Sequence, residues 1–404
     1  MIKYIGEINL EVNCCMNENI IFSSEEKIGL VHDRKVSYLH SQYLDSYNKA
    51  RLEIENRNTW KTSGSGAMFM GMQRQSENFD PSQNKAKVNG ITLYKDNKII
   101  YTIHINEVSG IFIKNPFDAK EHEGHILHKD NVIFHNIDFS STNNQVITSV
   151  SEHSIESHLA LLDLEQSHYH FITEGECIDQ NPTWSKTSDH TVYYDTAGVA
   201  LDPSTHRKLI GPKFICKLDL DSGTIDEIIS DEKFNYTKPK EDAEGNLYFI
   251  RMPYKEIKSK GFSILSILLI PFIILKAIFG WLNIFSMMYA GKTLTSKGAN
   301  PAKQKEINPK ELFIEGNLIN AEKSLDENKR LGEKYPGIAP RSWELMKMEP
   351  GQDPITIKKG VIDYDINDQG EIIYSNGTYL VKILEDQTED MIGKAQLVSK
   401  VKFL

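Results

Sequence analysis

A strand–turn–strand pattern recurs four times along this 404-residue chain. Each copy has an aromatic residue or a proline, then a polar turn rich in Ser, Asn, Asp and Gly, then a short run of β-prone residues. Such a pattern is typical of two antiparallel strands joined by a tight turn. The four copies are Ile137–Val150, Pro182–Thr196, Thr237–Arg251 and Ile362–Asn376.

Three copies are followed by a further strand, at Leu159–Leu164, Phe214–Leu220 and Tyr379–Ile383. Successive early copies are about 45 to 55 residues apart, which suits a propeller blade of four strands. The prediction is therefore an all-β fold, a β-propeller of four-stranded antiparallel blades, six in number. We expect Tyr4–Val12 to complete the last blade with Gln396–Leu404, because a closed ring has no open sheet edges. An open sandwich of meanders is the alternative.

One copy also resembles a known repeat. The segment Asn181–Ser185 (NPTWS), its polar turn and Val192–Tyr194 (VYY) are similar to the P-x-W-S-P-D-G-x-x-I-x-F repeat of TolB-like β-propellers. Phe214–Ile229 (FICKLDLDSGTIDEII) resembles the strand that follows in that family. Lys186 and Thr187 stand where the family usually has Pro-Asp. The resemblance covers residues 135–251 and those from 360 onward, and it implies the propeller fold.

A different kind of segment, Phe262–Ala290, interrupts the repeats with 29 residues and a single charge, Lys276. A helix of about 20 apolar residues spans the hydrocarbon of a bilayer, so membrane contact is expected. Pro271 would break the helix, which favours a hairpin or a helix lying in the interface over a single crossing. The expected membrane-contacting residues are Phe262, Ile264, Leu265, Leu268, Ile270, Phe272, Ile274, Phe279, Trp281 and Phe285.

Lysines flank this run on both sides, and an excess of lysine marks cytoplasmic flanks. Lys258, Lys260 and Lys292 are the expected contacts to lipid headgroups. The predicted organisation is a first propeller part at 1–254, a membrane-interacting helical insertion at 255–335 between two late blades, and a last propeller part with ring closure at 336–404. A buried helix of a soluble protein and a helix that binds a partner are the alternatives for the apolar run.

Charge and cysteine content restrict partners and location. The net charge of −10 argues against nucleic acid, whose phosphates need a basic surface. Met1–Val12 has no apolar core of the kind that an export signal needs. The four cysteines lack metal-type or disulfide-type spacing, so reduced thiols are expected. We therefore predict membrane lipid and an unidentified protein as partners, on the cytoplasmic side of a membrane.

Signals for catalysis are few. The sequence contains no GxSxG, Walker, HExxH or GxGxxG motif, and no cofactor is expected. His122, His125 and His128 lie close together and are weak candidates for metal binding, because imidazole is a common metal ligand. Spacings of three residues bring them together on neither a helix nor a strand, so solvated loop histidines are the alternative.

Two function classes follow. The first is a non-catalytic, membrane-associated scaffold that offers its rim or central channel to a protein or peptide. The second is a propeller hydrolase, lactonase-like, with a divalent cation held by oxygen ligands in the channel. Its candidate carboxylates also occupy turn positions, where a structural role is expected: Asp163, Asp219, Asp242 and Asp365. A transport or envelope role is a third possibility if the apolar run spans the bilayer.

Overall fold

The computed structural model describes residues 19–254 and 311–404, except 25–26, 48, 51–52, 54–85, 119, 153, 202–207, 315–316 and 385. The chain divides into two units. Residues Met1–Tyr254 and Ser324–Leu404 form the first, and Lys255–Lys323 form the second. The thirteen predicted lipid-contacting residues, from Lys258 to Lys292, lie outside the described residues.

The first unit is a ring of six antiparallel blades, which confirms the predicted propeller. Blade 1 contains β1 (Ile20–Ser24), β2 (Lys27–His32), β3 (Lys35–Tyr38) and the C-terminal β27 (Val398–Phe403). Blade 2 contains β4 (Lys87–Leu93), β5 (Ile99–Ile105), β6 (Val108–Lys114) and β7 (Gly124–Asp130). Blade 3 contains β8 (Val132–Ser140), β9 (Gln145–Glu152), β10 (His158–Asp163) and β11 (His168–Phe171).

Blade 4 contains β12 (Cys177–Trp184), β13 (Thr191–Leu201), β15 (Phe214–Asp219) and β16 (Ile225–Ile229), and a short β14 (Lys208–Ile210) pairs with the end of β13. Blade 5 contains β17 (Phe234–Glu241), β18 (Leu247–Pro253), β21 (Glu344–Met348) and β22 (Ile355–Lys359). Blade 6 contains β23 (Asp363–Ile366), β24 (Ile372–Ser375), β25 (Tyr379–Ile383) and β26 (Glu389–Lys394). The four repeat copies are the first hairpins of blades 3 to 6.

The ring closes through blade 1, where the C-terminal strand β27 is the inner strand and pairs with β1. Ile20 lies opposite Phe403, and Phe22 lies opposite Val401. The closing partner is therefore Ile20–Ser24 and not the predicted Tyr4–Val12, which lies outside the described residues. Because β1 and β27 pair within one sheet, the ring has no open sheet edges between its first and last strands.

Each blade is a meander, so its connections emerge on two opposite faces. We call the face where the inner strands begin the connection face; it includes residues 106–107, 131, 154–157 and 211–213. The other face carries the short turns within blades, including 141–144, 220–224 and 367–371, and we call it the hairpin face. All the long connections, 39–86, 198–213 and 254–343, join strand ends at the connection face.

The longest of these connections lies within blade 5, between β18 and β21. The prediction from the sequence was an insertion between two blades. Its described residues include the hairpin of β19 (Glu311–Ile314) with β20 (Asn317–Asn320) and the helix Ala321–Arg330. No helix among the described residues combines the length and apolar character needed to cross a bilayer.

Apolar side chains pack between neighbouring blades. Trp184, at the end of β12, is 6% exposed and belongs to a cluster with Ile147 and Leu159 of blade 3 and Val192 and Leu218 of its own blade. Trp184 therefore packs between blades 3 and 4. Side chains along each strand alternate between the two faces of its sheet. Each blade therefore packs one face against the blade before it and the other face against the blade after it.

Candidate functional site

The inner strands of all six blades line a narrow central channel. Its cavity is small, about 50 Å³, and its walls carry many charged side chains. The charged residues that line it are Asp138, Lys238, Lys240, Asp363, Lys400 and Lys402. A cavity of this size holds only a few waters.

Ion pairs of buried or partly buried side chains join the inner strands around this channel. Lys402 Nζ lies 3.0 Å from Asp138 Oδ1, and Lys240 Nζ lies 2.6 Å from Asp365 Oδ1. Lys238 Nζ lies 2.8 Å from Asp363 Oδ1, with both side chains less than 10% exposed. Each of these carboxylates thus lies beside a lysine from the inner strand of another blade.

The same carboxylates also accept hydrogen bonds from the backbone of an adjacent blade. The backbone N–H of Val401 donates to Asp363 (2.8 Å), that of Phe403 to Asp365 (2.9 Å), and that of Trp184 to Asp138 (3.0 Å). Burial alone would raise the pKa of Asp138, but Lys402 and the Trp184 N–H outweigh it, and the pKa lies below its ordinary value. The channel charges therefore tie blades together.

At the connection-face end of the inner strand β8, His135 is partly buried, and its Nε2 atom lies 2.9 Å from Ser151 Oγ in a hydrogen bond. Burial, followed by the positive charges of Lys87 and Lys213, lowers the pKa of His135 to about 3. The imidazole is therefore neutral at physiological pH. Its surroundings make this mouth of the channel electropositive.

Beside this mouth, the connection face holds a larger, open pocket of about 610 Å³ between blades 2 and 3. The residues that line it are His104, Asn106, Glu107, Asn131, Ile133, Ser151, Ser154, Ile155 and Lys208. The Nδ1 atom of His104 is buried and has no hydrogen-bond partner among the described residues. Burial lowers the pKa of His104.

An apolar arm projects from the same face. The end of β13 pairs with β14, Val199 opposite Ile210 and Leu201 opposite Lys208. Leu201, Leu209 and Ile210 are 57%, 45% and 43% exposed. The hydroxyl of Tyr254 donates to the carbonyl of Ile210 (2.7 Å). The arm therefore lies beside the residue at which the chain leaves blade 5.

A cluster of three potential metal ligands lies at the starts of β10 and β12, also on the connection face. His158, Cys177 and Asp179 each present a ligand atom within 4.8 Å of the other two. Burial, followed by the charge of Asp179, raises the pKa of the Cys177 thiol to about 12. Both neighbours contact the same imidazole nitrogen, Nδ1 of His158, so the three do not form a nucleophile–base relay.

The predicted histidine triplet is brought together only in part. His125 and His128 lie on β7 with ring centroids 5.1 Å apart, because an irregularity in the pairing of β6 and β7 shifts the alternation between them. His122 instead makes a hydrogen bond through Nδ1 with the Gln42 side-chain amide at 3.1 Å. Metal binding by this triplet stays a prediction.

Three of the four carboxylates named for a channel cation lie in turns of the hairpin face. Asp163 accepts the N–H groups of Glu165 and Gln166, and Asp219 accepts those of Asp221 and Ser222. Asp242 likewise accepts from two N–H groups of its own turn. Asp365 lies in the channel and pairs with Lys240. The structural role expected for turn positions holds for the first three.

Sequence reasoning missed both the arm and the three-ligand cluster. A signal for the arm exists, because the apolar Val199–Leu201 and Lys208–Ile210 flank a polar stretch and so form a further strand–turn–strand pattern. No comparable signal exists for the cluster. His158 lies 19 residues before Cys177, and only the folding of two blades brings them together.

No family model matches this sequence, and no curated protein matches it. Among solved structures, TolB from Acinetobacter baumannii is similar, with 6% identity and a TM-score of 0.48 over 96% of this chain and 66% of TolB. The tricorn protease has 10% identity and a TM-score of 0.44 over 96% of this chain and 34% of its own. A gluconolactonase from Xanthomonas campestris, XC5397, has 7% identity and a TM-score of 0.41 over 78% of each chain.

This chain thus spans less than two thirds of the length of TolB and about a third of that of the tricorn protease. These likenesses concern the fold alone. The TolB-like propeller predicted from the sequence is confirmed at that level by its six four-stranded blades.

Proposed function

We propose that this protein is a non-catalytic binding propeller, held at the cytoplasmic side of a membrane by residues 262–290. In this arrangement the connection face is turned toward the lipid. The hairpin face is then left for a protein or peptide partner. The observation that carries the proposal is the exposed apolar arm beside Tyr254.

The arm resembles the apolar run in chemistry, and it contacts Tyr254, the last described residue before that run. Leu201 and Ile210 lie on one face of the arm and Leu209 on the other, so both faces of the arm expose apolar side chains. Exposed apolar surface on a soluble domain can mark an interaction site when it is contiguous. Tyr254, hydrogen-bonded to the arm, is the last described residue before the chain continues into Phe262–Ala290. Lipid is therefore the occupant that suits both segments, and the flanking lysines suit anionic headgroups.

The channel favours binding over hydrolysis. A lactonase-like site needs carboxylate and carbonyl oxygens that are available to a divalent cation. Here Asp138 pairs with Lys402, Asp363 with Lys238, and Asp365 with Lys240. Each carboxylate also accepts a hydrogen bond from a backbone N–H, so its oxygens already make contacts that join the blades.

The hairpin face suits a protein partner because its turns are short and fixed by their own side chains. Asp219 and Asp163 each cap a turn through two N–H groups. His190 Nδ1 and Asp221 Oδ1 lie 2.7 Å apart on the same face. Surfaces preorganised in this way bind at a lower entropic cost than mobile loops.

Flotation with vesicles of phosphatidylcholine and phosphatidylserine tests the membrane part. The full chain is expected to float with the vesicles, and a chain with 262–290 replaced by a Gly/Ser linker is expected to remain in solution. Leu209→Asp should weaken flotation, because it places a charge on the lipid-facing arm. The matched control is Ile225→Asp, at a 53% exposed isoleucine on the outer strand β16.

Equal flotation of the full chain and the deleted chain would refute membrane attachment through 262–290. Equal loss from Leu209→Asp and Ile225→Asp would show that the arm has no special role. Co-purification of the full chain from native membranes, with and without substitutions on the hairpin face, then tests the partner surface.

A further inference from the structure

We infer that His158, Cys177 and Asp179 form a zinc site that joins blades 3 and 4. His158 begins β10 of blade 3, and Cys177 and Asp179 lie on β12 of blade 4. Imidazole nitrogen, thiolate sulfur and carboxylate oxygen are the three ligand types that zinc takes in proteins.

The distances suit one tetrahedral ion. His158 Nδ1 lies 3.8 Å from Cys177 Sγ and 3.9 Å from Asp179 Oδ2. Bonds of about 2.0 to 2.3 Å at tetrahedral angles require ligand atoms roughly 3.3 to 3.6 Å apart. The Cys177 sulfur and an Asp179 carboxylate oxygen lie within 4.8 Å of each other, so a modest approach of the three side chains would complete the site.

The strand geometry fixes two of the ligands. Cys177 and Asp179 are two residues apart on β12, so their side chains leave the strand on the same side. The backbone N–H of Asp179 donates to the carbonyl of Ser157 (2.8 Å), next to His158. Ser157 and Ile178 also form a parallel bridge between the two blades. The ligands therefore lie on backbone that is already joined.

The carboxylate of Asp179 is oriented by two threonines. Thr173 Oγ1 donates to Oδ2 at 2.6 Å, and Thr196 Oγ1 donates to Oδ1 at 2.6 Å. Hydroxyl groups that hold a ligating carboxylate in this way are a regular feature of metal sites. A carboxylate accepts about four hydrogen bonds or metal bonds, so capacity remains for the ion.

The site is also reachable from solvent. The His158 side chain is 22% exposed, Cys177 is partly exposed, and Asp179 is buried. Three protein ligands and an open side leave the fourth position of a tetrahedral ion for water or for a group of a partner. The ion would thus connect two blades and remain accessible on the connection face.

Cobalt(II) titration of the metal-free full chain tests this inference, because cobalt replaces zinc and its thiolate bond absorbs in the near ultraviolet. The titration uses a Cys14→Ser, Cys15→Ser background, so that those adjacent thiols do not contribute. We expect one equivalent to bind, with a thiolate-to-cobalt band that zinc removes. Zinc should also raise the Tm of the metal-free protein.

Cys177→Ser should lose the band, while Cys216→Ser, which changes a buried thiol outside the cluster, should keep it. Thr196→Val keeps all three ligands and should weaken zinc binding by about 10- to 100-fold. Absence of a saturable band with millimolar cobalt, or a band that survives Cys177→Ser, would overturn the inference. Asp179→Asn is less informative, because that carboxylate also holds Thr173 and Thr196.

Discussion

The channel and the arm reverse the usual distribution of polar and apolar residues. The channel buries charged side chains, of which Lys238 is 3% and Asp363 5% exposed, whereas the arm exposes Leu201 at 57%. In the pairs Asp138–Lys402, Asp363–Lys238 and Asp365–Lys240, the carboxylate also accepts a hydrogen bond from a backbone N–H. The arm leucines have only solvent over a large part of their surface. The contrast separates residues that maintain the ring from residues that are available to a partner.

This difference has an energetic basis. A buried charge is tolerated only when it is paired and hydrogen-bonded, so a buried pair is retained as a unit. An exposed leucine contributes little to the free energy of unfolding, so replacing it by a polar residue changes stability little. Variants in the channel should therefore change stability, and variants in the arm should change binding.

The largest effect is expected for Asp138→Ala. The substitution leaves the partly buried Lys402 without its paired carboxylate, and it removes the acceptor of the Trp184 and Thr92 hydrogen bonds. Breaking one side of a buried ion pair typically costs about 3–5 kcal/mol. Urea unfolding of the variant and the parent chain would measure the loss.

The control for this variant is Asp368→Ala, on the hairpin face. Asp368 pairs with Lys186 at 2.9 Å, but the two side chains are 77% and 49% exposed. Exposed pairs of this kind contribute at most about 1 kcal/mol. If the two variants lose similar free energies of unfolding, the channel ion pairs contribute no more to stability than an exposed pair does.

A smaller effect is expected from acid. The pKa of His135 is about 3 in the folded protein, lowered by burial and by nearby lysines, and about 6.5 when unfolded. Between these values the unfolded chain binds a proton that the folded chain does not, so stability falls as the pH falls from 6.5 toward 3. Within that window each pH unit costs up to about 1.4 kcal/mol.

Unfolding measured from pH 7 to pH 4 checks this expectation in the parent chain and in His135→Gln, which keeps a polar partner for Ser151. The substitution should flatten the decline. His190→Gln serves as the comparison, because a hydrogen bond with Asp221 raises the pKa of that exposed histidine. An unchanged slope in His135→Gln would show that His135 is not responsible for the acid sensitivity.

The repeats were readable from sequence because their turns are local. In the hairpin 242–246, Asp242 accepts N–H groups of Glu244 and Asn246, so the signal lies within five residues. The closing strand was misplaced because Tyr4–Val12 alternates in the expected way, while Ile20–Ser24 is buried at every position. A continuous buried run carries no alternation to recognise.

The position of the insertion was missed for a related reason. The third strand of blade 5, Glu344–Met348, reads ELMKM, and Glu, Lys and Met give little β signal. Its assignment depends on pairing with β18, where Phe249 lies opposite Met346. The cluster of His158, Cys177 and Asp179 depends in the same way on contacts between blades. Such contacts have no local pattern in the sequence.

The smallest effect on stability is expected in the arm. Leu201→Ser with Leu209→Ser removes exposed apolar surface that packs against little, and such surface changes usually stay within about 0.5 kcal/mol. The same pair should clearly reduce the binding of a hydrophobic fluorescent dye to the deleted chain that lacks 262–290. Ile225→Ser and Ile355→Ser, also more than half exposed, are the matched changes away from the arm.

If the arm pair lowers the free energy of unfolding by as much as Asp138→Ala does, the arm stabilises the fold and the contrast with the channel fails. If the free energy of unfolding is unchanged and dye binding falls only in the arm pair, the arm is an apolar surface that is exposed to bind a partner and is not needed for stability.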